Sequence, residues 1–430
     1  MRGDFSFTAG KPLPDWGLFG LKKQFRRIFI ESTLACPNRC AFCAYRDIRP
    51  AGTMPIDDLK AILPKLKDFA RDIYVSCAGE SLILDDLPER VALVRRFCPD
   101  SKICLTTSLS IPRSAAYFRS LVRAGLETMQ ISCYAHTRED YVRLHGRDAF
   151  DTVLENFAHL RAVKQGTGLI VVMDYFQDTG RHYGIERADQ KKSLFSSFAK
   201  MHGVDFISGK EVFDFPVRDE LKTARHGSMP FPCSVVWGRR ADELSIAWNL
   251  DILPCPYLRE KEDRLGNLGE SSLETIFTSP VYREFYRKHW DRDLESLPLC
   301  ARCNQPNHAA SPEESLRLAA HEAQRLAGRE VYFWGCGEAY RQYAALFNRC
   351  KPHCILYDAP DPPPAEVDGI PVRHPADELA KGLLLPIVVF AHPRHNHAIL
   401  ETIRSRYPGY GPGNVVLCQA RLDEWIVPQE

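Results

Sequence analysis

The chain has 430 residues, 45% of them hydrophobic, and 56 Lys and Arg against 55 Asp and Glu leave a formal charge of +1. At ~100 to 200 residues per domain this predicts two or three domains, and the charge balance gives no electrostatic ground for nucleic acid or an anionic membrane as partner. Residues 1–20 hold no signal-peptide core, and the longest apolar run, 383–391, is broken by Pro386 and falls short of the ~20 residues of a membrane helix, so a cytoplasmic protein is expected. There, 15 cysteines, an odd number, point to metal binding over disulfides.

The first strand-like run, Ile28-Phe29-Ile30, leads into Cys36-Pro37-Asn38-Arg39-Cys40-Ala41-Phe42-Cys43, followed by a helix-like segment at 55–69. Three thiols on one short loop can wrap a single iron-sulfur cube and leave one iron without a protein ligand, much as a catalytic zinc site keeps an open position. A zinc site or three core thiols is the competing reading. Strand-like runs then recur at 73–77, 102–106, 129–133, 169–173 and 204–208, alternating with helix-like segments such as 87–97, 115–124, 150–164 and 190–202. Six strand–helix units, counting the strand before the loop, predict a parallel sheet with crossover helices, either open or a partial barrel. Ligands gather at the carboxyl ends of such strands. Side chains alternate faces along a strand, so if Ser132 points inward Tyr134 does too and Cys133 points out, which disfavours Cys133 as a hydrogen-atom donor. Cys77 and Cys104 are donors only if they reach a substrate.

Past the barrel, Cys255 closes a hairpin-like stretch and Cys300-Ala301-Arg302-Cys303 is a C-x2-C knuckle. With Cys233 these make a closed four-thiolate shell, suited to electron transfer or structure and open to zinc as well as to iron-sulfur. Residues 311–328 read as one charged connector helix with a Ser311-Pro312 start. Beyond it, a strand at 331–334 breaks at Gly335-Cys336-Gly337, and a second ends at Asp358. Strands at 387–391 and 414–418 and helices at 376–381 and 397–407 complete a small Rossmann-like pattern, yet Tyr340 stands where the dinucleotide fingerprint has its third glycine. Nucleotide binding therefore stands beside a packing or oligomerisation role. The run His392-Pro393-Arg394-His395-Asn396-His397 is a metal candidate or a solvated loop, and Cys336, Cys350, Cys354 and Cys418 read as core thiols.

The cysteine loop, with Phe42 just before its third thiol, resembles the signature of the radical S-adenosylmethionine superfamily. The resemblance implies a partial six-stranded barrel over 1–225, with a 4Fe-4S cluster on Cys36, Cys40 and Cys43. S-adenosylmethionine would chelate the fourth iron, and its one-electron cleavage gives a 5'-deoxyadenosyl radical that takes a hydrogen atom from substrate. Phe42, Tyr45 and Thr107 would line the cofactor, and Gly79 and Glu80 would receive the methionine ammonium, although Ala78 and Ser81 depart from the family's element. Ser132 would meet the ribose, and Arg143 belongs to a run resembling one whose arginine-glycine pair starts the next helix.

Residues 265–269 and 272–277 resemble text inside auxiliary-cluster domains. This implies that 226–310 is a SPASM-like domain in its shortened twitch form, with one further 4Fe-4S cluster on Cys233, Cys255, Cys300 and Cys303, since no thiol follows until Cys336. The arrangement resembles aminocyclitol dehydrogenases. The 27 residues before Ile28 are too few for the peptide-recognition domain that peptide-modifying relatives often carry, which favours a small-molecule substrate. With a linker at 311–328 and a Rossmann-like domain at 329–430, the expectation is an α/β radical oxidoreductase. It would act on a sugar, nucleotide-sugar or aminocyclitol and draw on a flavodoxin- or ferredoxin-type electron donor. Candidate catalytic groups are Tyr134, Asp174 and Cys77, with Glu211, Trp237 and Trp248 as further contacts. Oxidation of a hydroxyl to a ketone is the first expectation; epimerisation, peptide maturation and a non-enzymatic electron or regulatory role remain open.

Overall fold

Two sheets organise the computed structural model, which describes residues 25–43, 45–46, 51–67, 69–176, 188–210, 233, 235, 243–259, 263–291, 293–301, 312–359, 361, 363–391, 393–410 and 414–418. The first sheet contains β1 (Phe25–Ile30), β2 (Ala70–Tyr74), β3 (Lys102–Thr107), β4 (Thr128–Ile131), β5 (Ile170–Phe176), β6 (Phe206–Lys210), β7 (Glu243–Ile246), β8 (Asp251–Leu253) and β9 (Gly266–Asn267). Its order is β6-β5-β4-β3-β2-β1-β7-β8-β9. Strands β1 to β6 run parallel, as expected for crossover connections. Among the described residues β6 and β7 do not pair, so the barrel is partial. Strand β7 adds to β1 in parallel, and β8 and β9 continue antiparallel, so the hairpin that delivers Cys255 grows directly from the barrel's first strand.

The connecting helices are α1 (Ile56–Leu66), α2 (Leu87–Phe97), α3 (Ala115–Ala124), α4 (Arg138–His145), α5 (Phe150–Lys164) and the helix Ala188–Met201. Ile28, Ile30, Ile73, Ile103, Leu105, Met129, Ile131, Val171 and Met173 alternate along the strands and are at most 2% exposed. They share one core with Leu59, Ile62, Val91, Val94, Phe118, Leu121 and Phe157 of the helices. At ~1.5–3 kcal/mol for each fully buried large apolar side chain, this core fixes which strand face turns to the helices and leaves the other to line the barrel. Ser114 caps α3 by accepting from Tyr117 N, and Gly125 closes it at φ 112°. Thr137 caps α4 in the same way, and Gly146 closes it at φ 66°. Residues 141–145 therefore end a helix, a correction to the expectation that this run starts one.

The second sheet contains β10 (Glu330–Trp334), β11 (Lys351–Leu356), β12 (Glu366–Val367), β13 (Ile370–Arg373), β14 (Ile387–Val389) and β15 (Val415–Leu417). Its order is β12-β13-β11-β10-β14-β15, in which all but β12 run parallel. That is the doubly wound Rossmann-like order, with its switch point between β10 and β14. Strand β13 was not foreseen, and Tyr340 donates through its hydroxyl to Asp368 Oδ2 at 3.0 Å just before that strand. Asp358 accepts from the Trp334 indole at 3.3 Å. The histidine run opens the helix Pro393–Arg406, where His395 is exposed and Asn396 buried; His392 lies outside the described residues. Cys350, Cys354 and Cys418 are buried. No helix among the described residues is long and apolar enough to cross a membrane.

Candidate active site

The cysteine loop leaves the end of β1 and is anchored on the last turn of α4. Arg39 N donates to His145 O at 3.0 Å and Ala41 N to Leu144 O at 2.9 Å. The last carbonyls of a helix lack intrahelical partners, so the loop satisfies them and is held in return. His145 is 1% exposed. Its Nε2 lies 2.6 Å from Cys133 O, a pure acceptor, so Nε2 carries the proton and Nδ1 turns an acceptor lone pair to Cys40 Sγ at 3.4 Å. Burial pushes the imidazole down to about 4. Tyr141 and Tyr134 stack on the ring at 4.3 and 5.9 Å, and Phe42 packs edge-on against both Tyr134 and His145. Sequence reasoning missed His145; the available signal was the His145-Gly146 pair ending the run searched for Arg143. Arg143 itself lies on the exposed face of α4 and pairs with Glu139 at 3.2 Å.

Gly79 packs against the entrance to the loop so closely that a Cβ there would lie 2.3 Å from Thr33 O. Glu80 N donates to Ala35 O at 2.9 Å. The buried Glu80 carboxylate accepts from Leu82 N, Thr107 Oγ1, Ser108 N and Ser108 Oγ at 2.5–3.0 Å. Two expected cofactor residues, Glu80 and Thr107, are thus in direct contact, with four donors converging on one carboxylate. Asn38 of the loop joins them by donating to Ser108 Oγ at 3.0 Å.

Inside the barrel, Gln130 donates to both oxygens of the buried Asp174 at 2.8–2.9 Å. Tyr134, in the left-handed region at φ 55°, has its N–H toward Asp174 O at 3.3 Å. Burial, with Asp174 adding, pushes the phenol well above its ordinary range, and Ser132 hydrogen-bonds to it in opposition. Ser132, Tyr134 and Asp174 are therefore brought together. Cys133 points away into the core and donates to Ala135 O at 3.2 Å, as strand parity predicts. Cys104 lies beside Tyr74 and Thr128.

Cys77 faces Glu31, Arg259, Ser245 and Cys255, and burial pushes its thiol up to about 12. Glu31, fully buried at the end of β1, takes a two-pronged bond from Arg259 at 2.6 and 3.0 Å and accepts from Trp248 N at 3.4 Å. Such a fork matches a carboxylate in a way that a lysine cannot. Cys233, Cys255 and Cys300 are half-buried against the main core. Cys303, Glu211 and Trp237 lie outside the described residues.

The donor set fits a cube. The charges of Cys36, Cys40 and Cys43 bear on one another. A cube takes one thiolate per iron, so three thiols carried on one short loop suit it. Asn38 Oδ1 is buried without a partner among the described residues, an acceptor suited to a donor group of a bound cofactor.

The radical SAM superfamily matches residues 30–181, and the iron-sulfur cluster-binding SPASM domain matches 233–304. Similar solved structures include BtrN in complex with AdoMet and 2-DOIA, at 17% identity and TM-score 0.44 over 66% of this chain and 94% of that one. Native anSMEcpe with bound AdoMet is 13% identical, TM-score 0.47, over 65% and 89%. Streptococcus suis SuiB bound to its precursor peptide SuiA is 15% identical, TM-score 0.48, over 62% and 67%. No curated protein matches the chain. Motif, partial barrel and both domain matches agree, and the chain is a radical S-adenosylmethionine enzyme with a SPASM-type iron-sulfur domain.

Proposed function

We propose that this enzyme oxidises a hydroxyl of a small polar metabolite of the sugar, nucleotide-sugar or aminocyclitol type to a ketone. When bound, the cluster on Cys36, Cys40 and Cys43 and S-adenosylmethionine supply the radical that removes a carbon-bound hydrogen atom. The chain's own part is to bind, orient and take up the proton. The observation that carries the reading is Asp174, a buried carboxylate at the carboxyl side of the barrel with Gln130 on both oxygens and Tyr134 beside it. A carboxylate so placed is a base for a substrate hydroxyl, and the Gln130 amide holds it in one orientation. Glu80, saturated by its four donors, is a positioning group for Ser108 and Asn38. Cys233, Cys255, Cys300 and Cys303 would hold the auxiliary cluster, which would supply an acceptor for the second electron of the oxidation, and a flavodoxin- or ferredoxin-type protein would serve as the external donor.

A second reading is epimerisation, supported by Cys77, a protonated thiol at the end of β2 able to return a hydrogen atom. Anaerobic turnover of candidate polyols in deuterated water separates the two. Loss of two mass units supports oxidation, whereas solvent deuterium at the carbon assigns epimerisation. Asp174→Asn is expected to stop ketone formation while 5'-deoxyadenosine still forms; ketone at the parent rate would refute the role of Asp174.

A further inference from the structure

Tyr45 stands two residues after Cys43 and Tyr257 two residues after Cys255, and their rings stack at 5.9 Å with an interplanar angle of 13°. Arg259 lies over the Tyr45 ring at 4.7 Å while its fork holds Glu31, and its Nε donates to Pro256 O at 2.8 Å. Tyr45 N also points at Cys43 Sγ, at 3.4 Å. A second contact joins the same two regions. The Trp248 indole packs on Gly52 so tightly that a Cβ there would lie 2.3–2.4 Å from three of its ring carbons. Gly52 O in turn accepts from Leu34 N at 2.8 Å. The auxiliary hairpin thus grips the radical-cluster loop on both flanks, beyond Cys43 and ahead of Cys36.

We propose that Tyr257 and Arg259 are positioning residues for the radical-cluster loop: the Tyr45–Tyr257 stack, pinned by the Arg259–Glu31 pair, couples the two cluster sites so that a filled auxiliary site pre-orders the loop for S-adenosylmethionine. This rests on the two cluster sites and not on the identity of the substrate or the reaction outcome. An aromatic pair with a cation over one face adds to area burial, and a loop already ordered has less freedom to lose on binding. Lysine at 259 would keep the charge toward Glu31 but lose the planar face over Tyr45.

The test uses the full chain reconstituted anaerobically, reading iron per chain, the electron paramagnetic resonance signal of each reduced cluster, and S-adenosylmethionine affinity from the titrated change in the radical-cluster signal. In Tyr257→Leu the auxiliary signal should persist while S-adenosylmethionine affinity falls roughly two- to tenfold, and Tyr257→Phe should restore it. Arg259→Lys should lower affinity in the same direction with both clusters loaded, which keeps the test decisive if Tyr257→Leu fails to hold its auxiliary cluster. Parent-like affinity in Arg259→Lys, or in Tyr257→Leu with both clusters present, overturns the proposal. So does a Tyr257→Phe variant as impaired as Tyr257→Leu, because the hydroxyl and not the stack would then matter.

Discussion

Gly79→Ala should empty the radical-cluster site while leaving the auxiliary site intact. An ideal Cβ at 79 lies 2.3 Å from Thr33 O and 2.8 Å from both Ala35 O and the Leu34 carbonyl carbon, all backbone atoms of the three residues before Cys36. Ordinary contact starts at 3.4 Å, so the Thr33 carbonyl must retreat by 3.4 − 2.3 = 1.1 Å. No side-chain rotation relieves this, and the shift strains the 2.9 Å bond from Glu80 N to Ala35 O. Overpacking at ~1–3 kcal/mol plus a backbone hydrogen bond at ~0.5–1.5 kcal/mol disfavours the native loop by about 2–4 kcal/mol, roughly 30- to 1000-fold. The assay is anaerobic reconstitution followed by iron and sulfide determination and paramagnetic resonance of the reduced protein, with and without S-adenosylmethionine. Iron should fall to the level of the triple Cys36→Ala, Cys40→Ala, Cys43→Ala variant, with no signal change on adding the cofactor. Full loading with a parent-like change would show that Gly79 does not set the loop's position.

Three further outcomes are expected. His289, buried on the helix Pro280–Asp291 with Nδ1 2.9 Å from Phe285 O, has its pKa lowered by burial. The unfolded chain therefore binds the extra proton first, so this stability is complete above pH ~6.5 and is lost as pH falls below it. His202, lowered by burial as well, adds in the same direction. Melts of the metal-free chain between pH 7.5 and 5 should be flatter for His289→Gln, and identical slopes would refute the assignment. Gly335→Ala, at φ 93° with Phe390 O 2.6 Å from the would-be Cβ, should cost the C-terminal sheet about 1–3 kcal/mol in a denaturation curve while iron content stays unchanged. Cys133→Ala should lower stability through the lost core contact yet leave 5'-deoxyadenosine formation intact, and loss of that product with both clusters loaded would contradict its placement in the core.

Helices α2, α3 and α5 fall where their periodicity placed them, 87–97, 115–124 and 150–164, because each is specified within its own turn spacing. Caps such as Ser114 and Gly125 are equally local. Strand order was legible as alternation, and the thiol loop as spacing. What escaped was the particular side-chain pairing of distant segments. Glu31 and Arg259 are 228 positions apart, and no pattern in either neighbourhood announces the other. Strand β13 is four residues long and contains Pro371, which suppressed its strand signal.

The fate of the 141–147 run follows from the same distinction. Arg143 and His145 are two positions apart on one helix, so at 100° per residue they project to nearly opposite faces. A sequence reading that expects an arginine selects Arg143, but the side of α4 that meets the cysteine loop is decided by Tyr141 and Leu144, both fully buried, and they bring His145 with them. Gly146 then ends the helix at the one φ that lets Arg39 O approach, since a Cβ there would lie 2.6 Å from it. The apolar stripe of α4 thus determines which polar side chain faces Cys40, and the charge at position 143 is left to pair with Glu139 on the exposed face.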